Sequence, residues 1–506
     1  MISPAPAAAG DAAPHCPGAA LRRVCALAAL ASALLAGCTL GPDYARPPVD
    51  APATFRFAPA TAADTANTAW WKQFGDPVLD QLIDTALANN LSVRIAAANV
   101  EQALAVVTQT RSALYPQVGY AASGERLRSP DTGLAVAIPG YPNPQTTYQA
   151  LLSASWELDL WGRIRRLSEA AQANVLATDE ARRGVLLTLV SAVATSYLQL
   201  RGLDEQLAIA QRTLGTYAES VRLYQLQLKY GQTSQMTVAQ AQSQYESAAA
   251  QIPQIEAQLA QTENTLSILL GRNPGPIPRG KSIYDLALPA TPAGLPSALL
   301  ERRPDLMQSE QALIAANAQI GAAKALYFPT ISLTGALGSA SADISNLFQG
   351  PTRTWNYAGQ LVGPIFTFGA VSGQVAQSEA AREAALLNYR LAIQNAFADV
   401  DNALVSQRKL QDQLGAQQRL VAALQDYARL ARLQYDGGYA PYSTVLQAEQ
   451  ALFPAELTLA AVRASVFAAA AGTYKAMGGG WVAEADKLTG TTAPAVDERA
   501  GMPPLF

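Results

Sequence analysis

The sequence predicts a mainly α-helical fold that also carries a membrane-type β-sheet, built from a duplicated strand–strand–long helix–helix unit. Three observations predict it. The chain resembles itself at an offset of roughly 205 to 213 residues, too long for a short-period solenoid. Four segments alternate apolar and polar side chains with period two. Two stretches of about 67 residues each contain no proline and almost no glycine, and would run roughly 100 Å if wholly helical at about 1.5 Å per residue.

Composition narrows the function classes. Half of the 506 residues are hydrophobic, enough for a substantial core. Only 15% are charged and the net charge is -3, so no nucleic-acid partner is expected. His15 is the single histidine, and Cys16, Cys25 and Cys38 are the only cysteines.

The first element is a leader, residues 1–37. Arg22 and Arg23 precede the apolar run from Val24 to Leu35, which is short for a membrane span and ends in Leu35-Ala36-Gly37-Cys38. A basic region, a short apolar region and small residues before a cysteine form a secretory signal. The arrangement resembles the bacterial lipobox, which implies that Cys38 is lipidated and becomes the new N-terminus. The alternative is a buried apolar helix with an accidental Gly-Cys. Thr39, in place of aspartate, favours the outer membrane by the same resemblance. The stretch before Arg22 exceeds an ordinary basic region, so translation is expected to start downstream of Met1. Maturation then leaves no histidine and one cysteine, excluding Ser-His-Asp and Cys-His catalysis, His or Cys zinc sites and an internal disulfide. No cofactor is expected beyond the covalent lipid. Beyond Cys38 no uninterrupted apolar stretch has helix-spanning length, so a membrane crossing falls to strands.

After an extended segment (38–68), the first repeat spans 69–272, a linker 273–296, the second repeat 297–481 and a tail 482–506. Leu114-Tyr115-Pro116 corresponds to Tyr327-Phe328-Pro329, and Leu160-Trp161-Gly162 to Phe366-Thr367-Phe368-Gly369. Strands are expected at about 114–126, 146–161, 327–338 and 353–368. In the second of these, Tyr148, Ala150, Leu152, Ala154, Trp156, Leu158 and Leu160 alternate with a mostly polar set. Trp355, Tyr357, Leu361 and Ile365 do the same in the fourth, and the first is the weakest. Such segments have the length of a tilted transmembrane strand. Trp156, Trp161, Trp355 and Tyr357 suit an interfacial girdle. The intervening loops, 127–145 and 339–352, are rich in Gly, Pro, Ser and Asp and are expected outside. Four strands cannot close a barrel; two copies would give eight and three would give twelve, and spacing alone does not choose. A soluble β-sandwich is the other reading of the same alternation. Glu157 and Asp159 fall on one strand face, and facing a watery interior is preferred over an acid–base pair.

The long helices are expected at 163–229 and 370–435, with coiled-coil packing through alanine-rich positions. They reverse at Tyr230-Gly231-Gln232-Thr233-Ser234 and at Asp436-Gly437-Gly438-Tyr439-Ala440-Pro441, where glycine permits the positive φ of a tight turn. Helices alone also fit a rod-like scaffold.

Several runs look like the TolC-like outer-membrane factors, in particular the NodT-type lipoproteins of resistance-nodulation-division efflux pumps. They are Gly41-Pro42-Asp43-Tyr44-Ala45-Arg46-Pro47, Trp70-Trp71-Lys72-Gln73-Phe74-Gly75-Asp76-Pro77 and Leu158-Asp159-Leu160-Trp161-Gly162-Arg163. The most specific is Arg302-Arg303-Pro304-Asp305-Leu306, continuing through Ala315-Ala316-Asn317-Ala318-Gln319-Ile320-Gly321 to Phe328-Pro329-Thr330-Ile331-Ser332-Leu333-Thr334-Gly335. Tyr474-Lys475-Ala476-Met477-Gly478-Gly479-Gly480-Trp481 closes the set. The resemblance covers about residues 35 to 481.

It implies a homotrimer whose four strands per protomer give a 12-stranded barrel in outer-membrane lipid, on a periplasmic α-helical barrel. It also implies a periplasmic membrane-fusion adaptor and an inner-membrane pump as partners, and export of drugs or other small molecules. The tips (Gly231, Gln232, Thr233, Asp436, Gly437, Gly438) would form the periplasmic gate and meet the adaptor. Relatives carry an acidic ring on the returning helix; here Gln447 stands at that position, and Ser443 stands where a bulky apolar residue is usual. A constriction without a ring of charge is therefore expected, or else Gln447 merely packs between helices. Glu449, two residues on, falls on a different face. A type I protein-secretion channel and a non-channel periplasmic scaffold remain the alternatives, with a carboxylate-dependent hydrolase well behind them.

Overall fold

The computed structural model describes residues 39–57, 68–130, 142–291, 296–478 and 481. Within them the chain runs in the order α1 (Pro77–Asn89), α2 (Leu91–Ser112), β1 (Gln117–Leu127), β2 (Gln145–Leu158), α3 (Arg163–Lys229) and α4 (Gln235–Leu269). The same order then returns: α5 (Pro296–Arg302), α6 (Pro304–Ala325), β3 (Thr330–Ser341), β4 (Arg353–Val362), α7 (Ala370–Asp436) and α8 (Tyr442–Ala476). The duplication extends to length, since α3 and α7 each have 67 residues and α4 and α8 each have 35.

The compact units do not follow the repeats. One comprises the chain up to Tyr44, Val107–Ala171 and Ala315–Arg382, and contains all four strands. The other comprises Ala45–Val106, Gln172–Ile314 and the chain from Glu383. Each unit therefore draws matching segments from both halves.

The sheet is antiparallel in the order β1-β2-β3-β4. β4 stops at Val362 rather than continuing toward 368. Gly363 lies so close to Pro329 that a Cβ there would sit 2.8 Å from its Cβ, and Pro364 has no N–H for a ladder. Likewise β2 stops at Leu158, leaving Asp159, Leu160 and Trp161 as a connector to α3.

The second unit is held by a core in which the Trp-Trp-Lys-Gln-Phe-Gly-Asp-Pro run has a physical role. Trp70 stacks on Tyr474 with centroids 5.2 Å apart, Trp71 meets Trp481 edge-on at 5.0 Å, and Phe74 meets Phe467 at 6.0 Å. Asp76, fully buried, caps α1 through Val78 N at 2.9 Å and accepts from Tyr197 Oη at 2.7 Å and Lys281 N at 3.2 Å. Burial and the adjacent carboxylate push the Tyr197 phenol well above its ordinary range.

Prolines 253 and 454 lie inside α4 and α8, where each removes an intrahelical donor. Packing overrides the local preference: Ile255, Leu259 and Leu266 on α4 are buried, as are Val462, Val466 and Phe467 on α8.

By length and mean hydropathy alone, α3 and α8 could each cross a membrane, with 18-residue windows reaching 1.2 and 1.4, although neither holds an uninterrupted apolar run of that length. Both helices are alanine-rich, and 56% of the α3 window is already buried within the chain, so its apolar character serves helix packing.

Candidate channel elements

The strand register sorts the sheet into two chemically different faces. Tyr120 pairs with Leu152, Leu152 with Leu337, and Leu337 with Trp355, so one apolar row crosses all four strands. The next row is Val118, Ala154, Gly335 and Tyr357, and Trp156 pairs with Leu333 on the same face. The opposite face carries Gln117, Ser155, Thr334 and Ala358 in one row, and Gly119, Ser153, Ala336 and Asn356 in another. Tyr120, Leu152, Leu337 and Trp355 are 88%, 57%, 58% and 69% exposed.

Magnitude decides what this means. Burying a large apolar side chain is worth about 1.5–3 kcal/mol, so leaving that row in water forfeits several kcal/mol. A whole domain is stable by only about 5–15 kcal/mol. The face is therefore built for an apolar solvent, and the strands, with 11, 14, 12 and 10 residues, have the length a tilted crossing needs. Among the described residues, the outer edges of β1 and β4 have no strand partner.

Trp355 and Tyr357 stack on the apolar face at 5.8 Å, and Trp156 donates from Nε1 to Leu114 O at 2.9 Å. Trp161 belongs to the connector after β2 rather than to the strand. It lies beyond β2, stacks on Phe328 at 4.7 Å and donates to Pro329 O at 2.7 Å. Glu157 and Asp159 each hold a partner at the start of α3. Glu157 binds Arg163 through two bonds of 2.9 Å to Nη2, and Asp159 caps α3 by accepting from Ile164 N and Arg165 N at 3.1 and 2.9 Å.

The glycine motifs after Cys38 and in the second repeat meet each other. Arg166, buried, donates to Leu40 O at 3.0 Å and Gly41 O at 3.4 Å and pairs with Asp43 and Glu169. Asn317 donates to Pro42 O at 2.8 Å, and a Cβ on Gly321 would collide with Leu40 O. The segment after Cys38 is thus clasped by residues of α3 and α6. Cys38 itself lies outside the described residues.

Both long helices stop in the same way. Gly231 adopts φ 74°; its N–H bonds Leu228 O at 2.9 Å, and Gln232 N bonds Gln227 O at 2.8 Å. Gly438 adopts φ 76°, with matching bonds to Tyr435 O at 2.9 Å and from Tyr439 N to Gln434 O at 2.8 Å. These are two Schellman caps. Of the glycines at the second tip, only Gly438 supplies the positive φ. Ser234 then caps α4 toward Thr237 N.

Gly231, Gln232, Gly437 and Gly438 are exposed, Thr233 is half-buried, and Asp436 pairs with Arg432 at 3.4 Å. Ser443 and Gln447, one helical turn apart, are both exposed, so neither packs within the chain. Glu449 falls on the other side and is mostly buried; burial holds its pKa above the ordinary carboxylate range, against the opposing pull of Arg432.

Three tyrosines that the sequence reading did not single out as a group bring the two tips together. Tyr224 lies 3.8 Å from Tyr442 and 6.4 Å from Tyr435 between ring centroids, and Tyr435 lies 5.4 Å from Tyr442. They pack with Val221, Val238, Val445 and Leu446 into a small local core. An aromatic near each helix reversal in both repeats was the available signal.

A sheet with a lipid-type face and open edges, coupled in one chain to paired 67-residue helices, defines an outer-membrane channel subunit. The family model described as "Outer membrane efflux protein" matches residues 82–272 and 295–479, one match per repeat. The chain belongs to that family and is an outer-membrane channel component of an efflux system. It is 38% identical over 453 residues to the cation efflux system protein CusC of Escherichia coli O6:H1, covering 88% of this chain and 96% of that one. It is 37% identical over 461 residues to the toluene efflux pump outer membrane protein TtgC of Pseudomonas putida, covering 90% and 95%. Among solved structures, the open-state MtrE outer membrane channel of Neisseria gonorrhoeae superposes with a TM-score of 0.80 at 32% identity, over 88% of this chain and 99% of that one.

Proposed function

We propose that three copies of this chain pair β4 of one with β1 of the next into a twelve-stranded barrel, anchored by lipid on Cys38, and that small molecules leave through its polar interior. The single observation that carries this is the two-faced sheet with open edges. In lipid, unpaired backbone groups along an edge are untenable, so a spanning sheet must close. Twelve strands is the smallest multiple of four beyond the side-chain-filled eight. Gln117, Ser155, Thr334 and Asn356 then line the lumen.

The exposed tip residues Gly231, Gln232, Asp436, Gly437 and Gly438, with half-buried Thr233, are the surface offered to a periplasmic adaptor, and Ser443 and Gln447 set an uncharged narrowing beside them. An inner-membrane proton-driven pump supplies the cargo. Relatives of nearly equal identity are named for cation and for toluene efflux, which supports cargo choice elsewhere in the assembly. Outer-membrane fractions run unheated and heated on denaturing gels test the reading. A heat-sensitive band at three times the heated chain is expected; a monomer under both conditions would overturn it.

A further inference from the structure

The two repeats place equivalent aromatics in unequal surroundings. In the first, Trp161 follows β2 and stacks on Phe328, which precedes β3, with centroids 4.7 Å apart. Its Nε1 also donates to Pro329 O at 2.7 Å. β2 and β3 are neighbours in the sheet, so this contact ties the base of one strand pair to the base of the next. In the second repeat Phe368 stands where Trp161 stands, each followed by a positive-φ glycine, Gly162 or Gly369, and then by a 67-residue helix. The counterpart of Phe328 is Tyr115, which precedes β1.

Within one chain that second contact cannot form, because β4 and β1 occupy opposite edges of the sheet. Phe368 is 100% exposed and adopts φ 48°, the one non-glycine positive φ among the described residues. Tyr115 is 51% exposed. A bulky residue in the left-handed region is strained and persists where its surroundings hold it there; nothing in its own chain covers Phe368.

We propose that Phe368 of one copy stacks on Tyr115 of the next, reproducing between chains the Trp161–Phe328 contact made within a chain. The contact rests on the trimer reading above and adds to it a latch at the base of the barrel. It also predicts an asymmetry: a phenylalanine at 368 cannot donate the hydrogen bond that Trp161 gives to Pro329. The interchain contact is the weaker of the two, and Phe368→Trp is expected to supply the missing donor to Pro116 O.

The test uses the full-length protein in its own outer membrane, where Cys38 is the only cysteine expected after maturation. Tyr115→Cys and Phe368→Cys are made singly and together and treated with a short thiol-specific bifunctional reagent. Covalent dimers and trimers on a heated denaturing gel are expected only for the double variant, while Phe328→Cys with Trp161→Cys gives no oligomer. In parallel, Phe368→Ala should lower the temperature at which the unheated trimer dissociates, and Phe368→Trp should raise it. A normal heat-sensitive trimer with no covalent ladder would overturn the latch and leave the trimer standing. Absence of any trimer in the wild type would overturn both.

Discussion

Replacing Asp76 by alanine should destabilise the protein more than any surface substitution, and the structure sets the scale. The carboxylate is fully buried and accepts from Val78 N, Tyr197 Oη and Lys281 N. Losing the α1 cap costs about 1 kcal/mol. Hydrogen bonds to a charged group contribute about 1.5–3 kcal/mol each, and the Tyr197 hydroxyl, which still accepts from Gly280 N at 2.9 Å, loses the acceptor for its own proton. The total is about 4–7 kcal/mol, in the tail of single-mutant effects. Asp76→Asn keeps the Oδ1 cap but sets an NH2 donor at the Oδ2 position against Lys281 N–H, so it recovers only the capping part, about 1 kcal/mol of the loss. Thermal unfolding of the purified full-length protein in detergent, followed by helical circular dichroism, should show a fall of several degrees for Asp76→Ala and a somewhat smaller fall for Asp76→Asn, which keeps only the cap. Equal, small shifts for both would refute the claim that this carboxylate organises three segments.

Three further outcomes follow from other sites. At Gly438 an added Cβ meets nothing, so Gly438→Ala should cost only the backbone strain of φ 76°, about 1–2 kcal/mol. At Gly271, φ 72°, it also strikes the Asn89 carbonyl, so Gly271→Ala should lower the melting temperature further, and a reversed order would contradict the geometry. Arg303 binds Asp305 at 2.7 Å, Asp399 at 3.0 Å and Ala476 O at 3.1 Å. Because both carboxylates are about half exposed and rehydrate, Arg303→Ala should cost about 2–3 kcal/mol, with Arg303→Lys recovering only part, as measured by melting.

For Glu449 the folded state binds a proton more tightly than the unfolded one, since burial raises its pKa from 4.5. Its ionised form therefore destabilises the tip above the raised value. Stability rises as pH falls through that value and levels off below the unfolded one. Protease nicking at the tips should slow over that window, and Glu449→Gln should abolish this dependence; an unchanged pH profile in the variant would rule the residue out.

Much of this architecture was written locally. Proline-free alanine- and leucine-rich runs dictated α3 and α7, and period-two alternation assigned Leu152, Trp156 and Trp355 to one face because side chains on a strand alternate by necessity. Other features depended on contacts that no local pattern carries. The end of β4 required the approach of Gly363 to Pro329, and Asp159 read as a strand residue until its oxygens were seen capping α3. Prolines 253 and 454 argued against helix where burial prevailed. The Tyr224–Tyr435–Tyr442 cluster joins positions separated by some two hundred residues, and only the repeat hinted at it. The clasp of Arg166 and Gly321 on the segment after Cys38 explains two motifs that carried a resemblance but no mechanism.

Efflux through the outer membrane is read out by retention of a fluorescent dye in cells lacking the gene. Cells deleted for it should accumulate dye, and the wild-type gene should restore export, with the heat-sensitive trimer present in the outer membrane. A wild-type gene that restores the trimer while leaving dye and drug retention unchanged, and restores a missing exported polypeptide instead, would contradict the account.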